Sequence, residues 1–200
     1  MDLRRTLLLF SFIFTGSLAI AQPKDRWTIQ DGGAIRWSIN DNIPHDDHLE
    51  MSGQQLSVVL RYGVDAQKRF HLNRSLVFPM LRMHPNKTQN NLKQRFDVNI
   101  PALVTVDDQT LLNEEVRDVT FNGIMRVESS FGYIYRRKEL KDAVQLTRVL
   151  YPSTNAAHYC EEYTFKNSSP NQITLRVPEW NVTYLSLIHI SEPTRHAQIS

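Results

Sequence analysis

Apolar and polar side chains alternate with a period of two along most of residues 27–184, which is the signature of half-buried β-strands. Ile35, Trp37 and Ile39 alternate with Arg36 and Ser38, so the three apolar residues share one sheet face. The run Leu56-Ser57-Val58-Val59-Leu60 follows, and residues 70–83 form the longest extended stretch. Asn73, Arg74 and Ser75 interrupt that stretch, which argues against burial on both of its faces. Shorter strands are predicted over 92–96, 101–106, 110–112, 116–121, 124–128, 131–136 and 143–151. Asp31-Gly32-Gly33, residues 63–66 and Asp107-Asp108-Gln109 read as turns. Asn122-Gly123 is the strongest short hairpin signal, because both residues tolerate positive φ. A final hairpin is predicted with Tyr159, Glu161, Tyr163 and Phe165 on one face, a turn over 166–171, and Ile173, Leu175 and Val177 returning. Residues 40–53 are polar and loop-like, with Pro44 breaking any ladder there. The best helical candidate, 138–144, is short. About ten strands at short spacing predict an all-β fold, an antiparallel β-sandwich.

Composition refines this reading without changing it. The chain has 200 residues, of which 41% are hydrophobic and 22% charged, a balance suited to one core. The formal charge of +2 makes no electrostatic case for nucleic acid. The single cysteine, Cys160, precludes an intramolecular disulfide framework. Residues 1–21 read as a Sec-type secretory signal. Arg4 and Arg5 supply the positive start, an apolar run follows over 7–14, and Ala19-Ile20-Ala21 supplies the small residues for cleavage. That run is shorter than the roughly 20 residues a membrane-spanning helix needs. The expected location is periplasmic or secreted, with no membrane association once the signal is cleaved. At the other end, Leu-Ser-Leu-Ile-His-Ile-Ser-Glu-Pro-Thr-Arg over 185–195 resembles a translated sequencing adapter. Residues 185–200 are therefore expected to be a non-native tail, which removes His189 and His196 as ligand candidates. The expected domain is 22–184, a sandwich truncated at its C-terminal end.

The densest polar cluster is His45-Asp46-Asp47-His48-Leu49-Glu50. Imidazole and carboxylate groups suit zinc or calcium. Neighbouring side chains of an extended segment point to opposite faces, however, and no second ligand group follows at a recognisable spacing. No metal site and no cofactor are expected, and a solvated or interface loop is the favoured reading. Glu50 adds a carboxylate, but the pairing that glycoside hydrolysis requires across a sugar is not legible in local sequence. His158, Cys160 and Glu162 alternate along one strand. A thiol–imidazole nucleophile pair there lacks an orienting third group, and a half-buried structural cysteine is favoured. Trp27, Trp37 and Trp180 are candidates for a sugar-stacking platform or for core packing, with core favoured for Trp37. Sequons at Asn73, Asn86, Asn167 and Asn181 are short, common matches, and no modification is expected in a bacterial protein.

Three segments carry a family resemblance. They are Ile43-Pro44-His45-Asp46-Asp47-His48-Leu49-Glu50-Met51-Ser52-Gly53, Val58-Val59-Leu60-Arg61-Tyr62-Gly63-Val64-Asp65, and Leu72-Asn73-Arg74-Ser75-Leu76-Val77-Phe78-Pro79-Met80-Leu81-Arg82. Together with the hairpin Tyr163–Val177, which has a polar Asn-Ser-Ser turn, they resemble the N-terminal β-sandwich of exported six-hairpin glycosidases of Bacteroidetes-type bacteria. The resemblance implies a supersandwich-like domain that packs on an (α/α)6-barrel downstream. It places the catalytic carboxylates on that barrel, so no catalytic residue is carried over to this chain. It also implies that the 45–50 loop, with His45, Asp46, Asp47, His48 and Glu50, faces substrate, an oligosaccharide. Three functions remain open: a non-catalytic part of a glycoside hydrolase acting on polysaccharide, a stand-alone carbohydrate-binding or adhesion module, and a structural envelope protein.

Overall fold

The computed structural model describes residues 26–82 and 91–179. Its described strands are β1 (Thr28–Ile29), β2 (Ile35–Ser38), β3 (His45–Ser52), β4 (Ser57–Val64), β5 (Phe70–Arg82), β6 (Asn91–Phe96), β7 (Thr105–Val106), β8 (Gln109–Thr110), β9 (Leu112–Phe121), β10 (Met125–Tyr135), β11 (Lys138–Pro152), β12 (Tyr159–Asn167) and β13 (Leu175–Arg176). One 3₁₀ turn, Ile100–Leu103, interrupts them, and there is no α-helix among the described residues. A six-stranded sheet runs β1-β2-β9-β10-β11-β12 and a four-stranded sheet runs β3-β4-β5-β6. A small third sheet has the order β13-β7-β8. Every pairing is antiparallel. The fold is an all-β, sandwich-like arrangement.

The period-two pattern explains the layers. Trp37 and Ile39 from the first sheet meet Val58, Leu60, Tyr62 and Val64 of β4 in one buried cluster, with Val127 and Leu150 completing it. Full burial of each such side chain contributes roughly 1.5–3 kcal/mol. The long strands β10 and β11 extend beyond this contact. There Phe131, Tyr133, Val144 and Leu146 form a second cluster with Val106, against which Ile173 and Leu175 pack. The six-stranded sheet is thus covered by the four-stranded sheet over one part and by the small sheet over another.

Several sequence expectations hold. The Asp31-Gly32-Gly33 turn joins β1 to β2, with positive φ at both glycines. Asn122-Gly123 lies in the β9–β10 hairpin, where Gly123 has φ 97°. Trp37 is core, and Trp27 packs against it at 6.1 Å between ring centroids.

Others are corrected. The 138–144 segment is the start of β11, not a helix. Its hairpin partner β10 captures it through a two-residue turn, Arg136-Arg137, in which both residues have positive φ. That turn lacks the Gly or Asn that would announce it. Within 101–106, only Thr105–Val106 is strand, because Pro101 opens the 3₁₀ turn. The final hairpin does not close as a ladder: β12 pairs with β11, while β13 pairs with β7. The intervening turn is self-contained. Asn167 Oδ1 accepts from the Ser169 backbone N–H at 2.9 Å and from its hydroxyl at 2.8 Å. The signal-like segment 1–21, the loop at 84–87, Asn86, Trp180, Asn181 and the tail lie outside the described residues.

Candidate functional site

The polar cluster at 45–50 is not a loop. His45–Ser52 is the edge strand β3, in register with β4 along its whole length. Pro44 sits just before the strand, where its missing N–H costs the ladder nothing. The hydrogen bonding offered by β4 and the inward burial of Leu49 and Met51 outweigh the polarity of the segment. Strand parity then divides the candidates. His45 and Asp47 point inward, whereas Asp46, His48 and Glu50 lie on the exposed outer face.

The inward pair is absorbed by packing. The His45 ring meets Trp37 edge-on at 5.0 Å, and its Nδ1 accepts from the Arg26 guanidinium, which also lies over Trp37 at 5.2 Å. Nε2 is buried, 3.6 Å from Asp47 Oδ2. Tyr62 is buried in the same layer; burial raises its pKa, and the Asp47 charge adds to the effect.

On the outer face, three rows cross β3, β4 and β5 in register. The first is Asp46, Gly63 and His71. Here Asp46 Oδ1 and His71 Nε2 meet at 2.5 Å across the glycine. A Cβ at Gly63 would collide with both groups, so the missing side chain makes room for the bond. The second row is His48, Arg61 and Asn73. Among the described residues, no hydrogen bond or ion pair engages any of these three side chains. The third is Glu50, Val59 and Ser75. An open groove of about 470 Å³ runs over the rows, lined by Asp46, His48, Val59, Arg61, His71 and Asn73 among others. Among the described residues, no group of three or more His, Cys, Asp or Glu is placed to hold a metal ion.

The inner layer holds two buried ion pairs that sequence reasoning passed over. Arg74 of β5 reaches across to Glu161 of β12 through both Nε and Nη2, the latter at 2.8 Å. Nη1 donates to the Val98 carbonyl at 3.0 Å, and Tyr163 donates to Glu161 Oε2 at 2.5 Å. Burial pulls the Arg74 pKa down, and the hydrogen bond and charge of Glu161 outweigh it, so the net direction is up. Burial, with the Glu161 charge adding, pushes both the Tyr159 and Tyr163 hydroxyls up. Arg148 of β11 is equally buried, donating to Glu114 at 2.5 Å and to Ser129 at 3.2 Å, with its guanidinium over Phe70. The strand pattern held a faint signal for both pairs, since Arg74 and Arg148 occupy positions of apolar parity.

A second depression, about 270 Å³, forms where the registers of β9 and β11 shift opposite Gly132. Asn113 and Asp142 adopt positive φ at these irregularities. Several of its polar groups are already engaged. Asn113 donates to Glu139 at 2.8 Å, and Asp142 accepts from Ser130 and from Arg117 at 3.1 Å. The Ser130 hydrogen bond, against partial burial, holds the Asp142 carboxyl below the usual range. Cys160 is a free, half-buried thiol paired in register with Tyr151. Glu162 accepts from the Tyr151 hydroxyl at 2.5 Å, and His158 precedes the strand, so no nucleophile arrangement is formed.

Comparisons with protein-family models, with curated proteins and with solved structures gave no match.

Proposed function

We propose that this chain is the non-catalytic N-terminal β-sandwich of an exported glycoside hydrolase active in polysaccharide degradation, and that the outer face of β3, β4 and β5 contacts oligosaccharide. The observation that carries the reading is the row His48, Arg61 and Asn73. It presents unpaired donors and acceptors in fixed order on a rigid sheet, beside an open groove. Sugar hydroxyls are recognised by groups of this kind, held in place by their scaffold. The sequence resemblance to six-hairpin glycosidases supports the same reading and makes an (α/α)6-barrel the partner domain. The buried carboxylates Glu114 and Glu161 are held by Arg148 and Arg74, which suits a structural role for both.

Two measurements test this. Titration of the full chain with a panel of oligosaccharides should shift backbone resonances on the outer face of β3–β5 and leave those of the second depression unmoved. Sequencing the source DNA past the Tyr184 codon should reveal a frame continuing into helical hairpins, in place of the adapter-like 185–200. A native stop within a few dozen codons, together with glycan binding, would favour the stand-alone binding module. Source DNA that itself encodes 185–200 would remove the adapter origin of the tail.

A further inference from the structure

The groove contains more cation than the surrounding structure uses. Arg61 sits on β4, an interior strand of its sheet, with its side chain exposed on the outer face. Exposed arginines elsewhere in the fold are commonly engaged. Arg36 pairs with Asp118 at 2.8 Å, Arg69 with Asp65 at 2.7 Å, Arg126 with Glu128 at 3.0 Å and Arg176 with Asp108 at 3.0 Å. Arg61 pairs with nothing among the described residues, although two carboxylates line its groove. Both are otherwise committed. Asp46 is bonded to His71 across Gly63, and Asp47 points inward towards His45. The flanking groups in its row, the His48 imidazole and the Asn73 amide, are also unpaired and offer both donors and acceptors.

A guanidinium is a planar fork that matches a carboxylate in bidentate fashion, and it does so more selectively than an ammonium. A sugar ring bearing a carboxylate presents that anion next to hydroxyls. This is the spacing that an arginine flanked by an amide and an imidazole can serve. We infer that the groove is selective for an acidic oligosaccharide, one containing uronic-acid residues, with the sugar carboxylate on Arg61 and its neighbouring hydroxyls on Asn73 and His48. This rests on the oligosaccharide reading above and narrows it to a substrate class.

The test is calorimetric or NMR titration of the full chain with a galacturonic-acid trimer and a neutral galactose trimer, with inorganic phosphate as a third probe. The acidic trimer should bind about tenfold more tightly than the neutral one, as a charge-assisted bidentate contact predicts. That preference should shrink with added salt. Arg61→Gln should erase the preference, so that the two trimers bind with equal affinity, and should leave the urea midpoint unchanged. Arg61→Lys should restore only part of it, because the charge remains and the fork is lost. Equal affinity for both trimers, or an unchanged preference in Arg61→Gln, would overturn the acidic specificity and leave the oligosaccharide reading standing. Binding of neither trimer overturns both, and binding of phosphate alone does the same by marking a simple anion site.

Discussion

Two arginines on neighbouring strands, Arg61 on β4 and Arg74 on β5, have opposite fates. Arg61 is in register with Asn73, and Arg74 with Leu60, so the two are one position out of step. That single step sends Arg61 to solvent with no partner. It sends Arg74 into the layer between the sheets, 3% exposed, where Glu161, Tyr163 and the Val98 carbonyl satisfy it. The inner arginine is a cross-link between two sheets, because Glu161 belongs to β12 of the other sheet. The outer one is available to a ligand. Charge type says nothing about role here; side-chain parity and the partners brought by the opposite sheet decide it.

The largest effect should come from breaking the inner pair. Arg74→Ala leaves Glu161 buried without its counter-charge and should cost about 3–5 kcal/mol in urea unfolding. Replacing both partners, Arg74→Met with Glu161→Leu, should recover most of that loss, since a well-packed apolar pair avoids the desolvation of two charges. A double variant as unstable as the single one would mean that the hydrogen bonds to Val98 and Tyr163 matter more than the charge pair.

A smaller loss is expected at Gly53, in the β3–β4 hairpin that sets His48 opposite Arg61. A Cβ there would run into the Ser153 carbonyl oxygen, a backbone atom that cannot swing aside. Gly53→Ala should therefore cost about 1–3 kcal/mol by overpacking. A melting temperature equal to that of the parent would show that the hairpin is free to move away from Ser153.

Acid sensitivity separates inner from outer electrostatics more gently. Asp118 is held below its usual value by the Arg36 hydrogen bond, against partial burial, with the Ser38 hydroxyl adding to the lowering. Its folded pKa is thus below its unfolded value near 3.9. The associated stability is fully present above that value and is lost as pH falls through the folded pKa. Asp118→Asn should flatten the acid limb of the stability curve and cost about 1 kcal/mol or less at neutral pH, because Arg36 is largely solvated. An unchanged acid limb would assign acid unfolding to other carboxylates, Asp65 and Asp142 first among them. The smallest effect belongs to Arg61→Gln, within about 0.5 kcal/mol of the parent, as befits an exposed side chain with no partner.

The candidate site was legible in the sequence only in part. The polar run at 45–50 read as a loop and is strand β3, because local composition cannot register the ladder that β4 supplies. Once the segment is a strand, its parity puts Asp46, His48 and Glu50 on one face and His45 and Asp47 on the other, a division the loop reading did not contain. Nothing local connected Asp46 with His71, since the contact depends on Gly63 lying between them on a third strand. The helix expected over 138–144 failed for a related reason. Arg136-Arg137 adopts a turn normally given to Asn-Gly, and only the fifteen-residue ladder of β11 makes that conformation worthwhile.

Alternation, turn residues and composition by themselves determined that this chain is all-β, that Ile35, Trp37 and Ile39 share one face with Trp37 in the core, and where most strands begin. These are properties of adjacent residues, and a strand's two faces follow from its own backbone. Which strands pair, that β13 joins β7 and not β12, and that Arg74 finds Glu161 while Arg61 finds nothing were decided by the tertiary structure. Those outcomes depend on groups far apart in the chain, whose encounter is set by sheet order and by the packing of one layer on another.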